Sequence, residues 1–167
     1  MSIIGLYLRL NPSELARAAR EPDWASVFAD EVAERESERP VSPSERRGHD
    51  TGKAWDALRF LLERHAFPVD LLRGEEELPG ADDWGYGPPR VLTPEHVTLA
   101  ADTLAQLPFE ALLGDVTAAD LARSDVYPTG LWADDTALPY LGTHYTDLTA
   151  FVRTTARYRH GLLVWAG

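Results

Sequence analysis

The sequence predicts an α+β domain, with several helices packed on a small sheet that includes the N- and C-terminal strands. Three observations point to it. Residues 3–10 alternate, with Ile4, Leu6, Leu8 and Leu10 on one side and Ile3, Gly5, Tyr7 and Arg9 on the other, which is the pattern of a half-buried strand. Residues 162–166, Leu-Leu-Val-Trp-Ala, are apolar on both sides, as an internal strand requires. Between these ends apolar residues recur at helical spacings, so the strands at the two termini enclose a helical middle and are placed to pair with each other.

The elements follow in order. Asn11-Pro12-Ser13-Glu14 combines a capping side chain, proline at the first helical position and a glutamate able to reach back, which predicts a short helix to about Arg20. Asp23 is placed to cap a second helix in which Trp24, Val27, Phe28 and Val32 share a stripe that fades after Ala33. Residues 34–50 hold a single aliphatic residue, Val41, and cannot offset the entropy of ordering by burial; a mobile polar loop within the domain is expected there. The passage from Gly74 to Pro89 is rich in turn formers and acids. Its Trp84 and Tyr86 predict that part of it is pinned to the body of the protein. Thr93-Pro94-Glu95 opens a helix with Val97, Ala100, Ala101 and Leu104 on its buried stripe, and Pro108 stops it. Thr117-Ala-Ala-Asp120 is a weaker capping signal, because Asp is shorter than Glu at the reach-back position. A long helix follows Pro139 through Leu141, Tyr145, Leu148, Phe151 and Val152, and His160-Gly161 ends it.

Residues 51–64 are the most informative stretch. At about 100° per residue, Ala54, Trp55, Leu58, Leu61 and Leu62 form one core-facing stripe. Phe60 instead projects among Lys53, Asp56, Glu63 and Arg64. An exposed phenyl ring gains nothing from that setting, so this face is expected to be covered by another layer of the chain, by a partner or by a ligand.

Composition narrows the function classes. A chain of 167 residues, 44% of them hydrophobic, is large enough to bury one core, which predicts a single domain over residues 1–167. No cysteine is present, which removes thiolate metal sites and cysteine nucleophiles. No secretory signal and no bilayer-length apolar run is seen, so the default location is cytoplasmic and no membrane association is expected. A net charge of −11 opposes phosphate-backbone binding and makes a basic protein a better partner than nucleic acid.

Several segments carry a family resemblance. Ile3-Ile4-Gly5-Leu6-Tyr7, the helix from Lys53 to Leu62, the run from Gly85 to Glu95, Asp125-Val126-Tyr127-Pro128 and the closing helix and strand occur in order over nearly the whole chain. In these segments the chain resembles the YfbM-like family of bacterial proteins. The resemblance implies a small cytoplasmic α+β domain of unknown function, and it supplies no catalytic residues. The charged segment from Glu34 to Asp50 is the main departure from the family pattern, so any role it has would be specific to this chain.

Motif chemistry is sparse. The five histidines lack the spacing of a helical zinc site, and His49-Asp50 is a lone pair of ligand types, so no metal is expected. There is no nucleophile elbow, no phosphate loop and no dinucleotide fingerprint, and no cofactor is expected. Two readings stand side by side. In the first, the chain is a non-enzymatic binding module for another bacterial protein, of inhibitor or immunity type. In the second, Lys53, Asp56, Phe60, Tyr86, Arg90 and Tyr127 build a small-molecule or enzymatic pocket, with Lys53 holding an anion and Phe60 as an apolar wall. The structural counterpart of the second reading is a Lys53–Asp56 ion pair with Phe60 packed under the loop of Trp84 and Tyr86. Arg90 then caps backbone or pairs with Asp125.

Overall fold

The two terminal strands lie side by side at the centre of the sheet. β1 (Gly5–Leu10) runs antiparallel to β5 (Gly161–Ala166), with Gly5 opposite Ala166 and Leu10 opposite Gly161. In this computed structural model, which describes residues 2–167, β2 (Gly48–Asp50), β3 (Glu76–Glu77) and β4 (Arg90–Leu92) complete a five-stranded antiparallel sheet in the order β2-β1-β5-β4-β3. Among the described residues seven α-helices cover it: α1 (Pro12–Arg20), α2 (Pro22–Glu38), α3 (Trp55–Arg64), α4 (Pro94–Ala105), α5 (Phe109–Leu113), α6 (Ala118–Arg123) and α7 (Leu138–Arg157). Among the described residues no helix is long and apolar enough to cross a membrane.

The side-chain alternation of the central strands divides the core in two. Leu8, Leu10 and Leu163 face α1 and α2 and pack with Ala18, Ala25, Val32 and Leu78. Tyr7, Leu162, Val164 and Leu92 face the other way, into a larger core built from α3 to α7. β1 is therefore covered on both sides rather than half-buried, and even Arg9 is 5% exposed. Its polar-looking face is sealed by helices that lie far along the chain, a fact no local pattern holds.

Helix starts follow their capping chemistry. Asn11 and Glu14 form a reciprocal box, Thr93 does the same with His96, and Thr117 does so with Asp120. α2 departs from expectation, because Pro22 occupies its first turn and moves the start to Glu21, ahead of Asp23. On that helix Trp24 stacks on Phe28 at 5.0 Å between centroids, whereas Val27 is 56% exposed.

The expected polar loop over residues 34–50 is shorter than its composition suggested. α2 continues to Glu38, and Gly48–Asp50 form β2, which leaves residues 39–47 between them. Polar bonds supply the order that apolar burial does not. Glu36 accepts from the N–H groups of Arg47 at 2.6 Å and Gly48 at 3.1 Å, Arg47 pairs with Glu14, and both terminal nitrogens of Arg9 donate to the Ser44 carbonyl at 3.3 Å.

Candidate functional site

The six residues singled out from sequence fall into separate places. Asp56 and Tyr127 come together: Asp56 Oδ2 accepts the Tyr127 N–H at 2.8 Å, and the Tyr127 hydroxyl accepts the Ile3 N–H at 2.7 Å. Asp56 is 8% exposed and pairs with Arg59 Nε at 2.6 Å. Among the described residues it makes no ion pair with Lys53, whose side chain is exposed. The three-residue spacing to Arg59 lets the longer guanidinium fork reach Asp56 and, four residues on, Glu63 as well. Burial alone would lower the Arg59 pKa, but the hydrogen bonds it donates to Asp56 and Glu63, with their negative charges, outweigh it and hold the pKa above its ordinary value.

Phe60 is half-buried on the larger core, with the Arg64 guanidinium 5.8 Å from its ring centroid. It does not lie under the loop of Trp84 and Tyr86. Trp84 packs edge-on against Trp165 on the opposite face of the sheet, at 5.0 Å between centroids. The loop is pinned as expected, since the Tyr86 N–H donates to the Ala166 carbonyl at 3.0 Å, yet the Tyr86 ring is 53% exposed. Arg90 caps backbone: its Nε donates to the Gly74 carbonyl at 3.1 Å and its Nη2 to the Glu75 carbonyl at 2.5 Å, with Glu77 rather than Asp125 as its charge partner at 3.6 Å.

A cleft opens in a different place. Along the outer edge of β2 a cavity of about 680 Å³ opens between α2 and α7, within the usual range of ligand sites. Its floor is Leu6, Leu8, Tyr7 and Trp165, its walls include Val32 and Phe151, and its rim carries Glu36, Arg46, Asp50, His144 and Asp147. β2 brings His49 onto the Tyr7 side of the sheet, where its ring stacks on Phe151 at 4.9 Å and 16°. His49 Nε2 is buried without a hydrogen-bond partner. Burial outweighs the nearby carboxylates of Asp50 and Asp147 and pushes the His49 pKa down to about 4, so the imidazole is neutral at pH 7. The rim thus sets three carboxylates against one guanidinium over an apolar floor, a surface suited to a ligand with positive and apolar groups. Among the described residues no group of three or more His, Asp or Glu side chains is arranged to hold a metal ion.

The model of a family described as a domain of unknown function, DUF1877, matches residues 1–165. The chain belongs to the DUF1877 family. The same fold appears in the crystal structure of YfbM, a protein of unknown function from Escherichia coli, with 16% identity, a TM-score of 0.60, and coverage of 96% of this chain and 98% of that one. Among curated proteins none matches.

In this DUF1877 chain the cleft residues were the ones that sequence reasoning passed over. His49-Asp50 was visible only as a dipeptide in a polar stretch. His144 and Asp147, one turn apart on α7, carried a usable signal: two polar groups on a helix face adjoining the buried Phe151. Their convergence with β2 depends on pairing between Tyr7 and His49, which are 42 positions apart in sequence.

Proposed function

We propose that this DUF1877 domain is a non-enzymatic binding module that recognises a basic segment of another bacterial protein, as an inhibitor or immunity-type partner does. The observation that carries this reading is the cleft beside β2, with its apolar floor and a rim on which Glu36, Asp50 and Asp147 outnumber Arg46. The polar groups first suspected of chemistry support the same reading. Asp56, Arg90 and Tyr127 spend their hydrogen bonds on the chain's own backbone and side chains. A net charge of −11 adds long-range attraction for a cationic partner, which raises the rate of encounter and is screened by salt.

The test is affinity capture from host lysate with the wild-type protein and with Asp50→Lys/Asp147→Lys, at low and high salt. A single stoichiometric protein should be retained by wild type, lost by the variant and weakened by salt. Failure to retain any protein, or retention indifferent to both changes, would refute the reading. A retained small molecule lost in Asp56→Ala would instead favour a pocket near Lys53, Asp56 and Phe60.

A further inference from the structure

We infer that the partner binds by strand addition: an extended segment with alternating basic and apolar side chains pairs with the open edge of β2. This rests on the binding-module reading and specifies its geometry. The Thr51 N–H donates to the Gly5 carbonyl at 2.9 Å and the Arg9 N–H to the Arg47 carbonyl at 2.8 Å, with His49 opposite Tyr7 between them. In an antiparallel ladder such inward pairs recur at every second residue. The backbone groups of Gly48 and Asp50 therefore point away from β1, and among the described residues no strand lies beyond them.

One of these outward groups is occupied. The Gly48 N–H is bound by Glu36 Oε2 at 3.1 Å. Gly48 suits that contact, because a Cβ there would stand 3.2 Å from the same oxygen. Among the described residues the Gly48 carbonyl and both backbone groups of Asp50 have no hydrogen-bond partner, which leaves them for an incoming strand over a run of three residues spanning about 10 Å.

The two sheet edges differ in what surrounds them. β3 is two residues long, both exposed glutamates, the charged kind of edge that discourages pairing. β2 instead borders the cleft, whose walls rise on both faces of the sheet: Val32 and Ala33 on the α2 side, Ala150 and Phe151 on the α7 side. Side chains of an added strand would alternate between these walls. Asp50 and Glu36 lie on the α2 side against Asp147 alone on α7, so lysine or arginine is favoured at the alternate positions that face α2, and apolar residues at those that face Phe151.

The experiment uses the whole ¹⁵N-labelled protein with two capped synthetic peptides, one alternating valine with lysine and one alternating valine with glutamate. Binding of the lysine peptide should slow amide hydrogen exchange at Asp50 at least tenfold. The glutamate peptide should have no effect, and Asp50→Lys, an exposed substitution on the side that the lysines face, should weaken the lysine peptide roughly tenfold. No binding of the lysine peptide, or binding that leaves Asp50 exchange unchanged, would overturn strand addition. If lysate capture still retained a protein while Asp50 stayed unprotected in that complex, strand addition would fail and the binding-module reading would survive.

Discussion

Replacing Asp56 by alanine should destabilise the fold by about 3 kcal/mol. The Asp56 carboxylate accepts two strong hydrogen bonds, from Arg59 Nε at 2.6 Å and from the Tyr127 N–H at 2.8 Å. A hydrogen bond to a charged group contributes about 1.5–3 kcal/mol, and deleting the acceptor leaves a backbone donor unsatisfied. The Arg59 and Asp56 side chains are 18% and 11% exposed, which places the pair between the surface regime of about 0–1 kcal/mol and the buried regime of about 3–5 kcal/mol. At this chain length each kcal/mol moves the midpoint temperature by about 2–4 °C, so Tm should fall by about 6–12 °C. Asp56→Asn keeps one oxygen to accept from Tyr127 but turns an amide donor toward Arg59, so it loses the charge and the Arg59 bond while the backbone donor stays satisfied, and about 1–2 kcal/mol is expected. Urea unfolding followed by tryptophan fluorescence checks both variants, with a shifted midpoint at unchanged slope. A change below about 0.5 kcal/mol for Asp56→Ala would refute the assignment of Asp56 as the tie between α3 and the Tyr127 segment.

Further predictions rest on separate contacts. The His49 pKa lies near 4 in the fold against 6.5 for the free side chain. Between these values the unfolded chain binds more protons, so stability should fall as pH drops from about 6.5 to 4, by at most ~3 kcal/mol. His49→Phe keeps a ring against Phe151 and should flatten that part of the pH–stability curve, and an NMR titration should find the wild-type imidazole neutral at pH 6. Gly161→Ala would place a Cβ 2.7 Å from the Leu92 carbonyl and 2.8 Å from Leu15 Cδ2, so a loss of about 1–3 kcal/mol is expected in chemical denaturation. Arg90→Lys cannot hold the Gly74 and Glu75 carbonyls together with one planar fork. It should cost about 1 kcal/mol or more in the same assay and speed amide exchange in residues 74–77.

Much of the fold was legible because its signals are local. The capping boxes at Asn11 and Thr117 name their own helix starts, and the doubly apolar run at 162–166 could only be an internal strand. The aromatic at Phe60 marked only a local contact: the ring is half-buried on the larger core, while Lys53, Glu63 and Arg64 on the same helix face stay exposed. The Trp84 loop packs in the other cluster, because hydrophobicity marks a ring for burial without naming the surface that receives it.

By itself, the sequence determined the α+β class, the pairing of the terminal strands, the caps at Asn11, Thr93 and Thr117, and the acidic charge, all of which follow from periodicity, side-chain chemistry and composition. Tertiary structure alone decided that β1 is covered on both faces, that Asp56 takes Arg59 and Tyr127 rather than Lys53, and that β2 opens onto a cleft shared with α2 and α7. Each of these turns on contacts between residues distant in sequence. Their partners are selected by how helices settle on a sheet, and a one-dimensional pattern carries the demand for burial or pairing without the identity of the group that meets it.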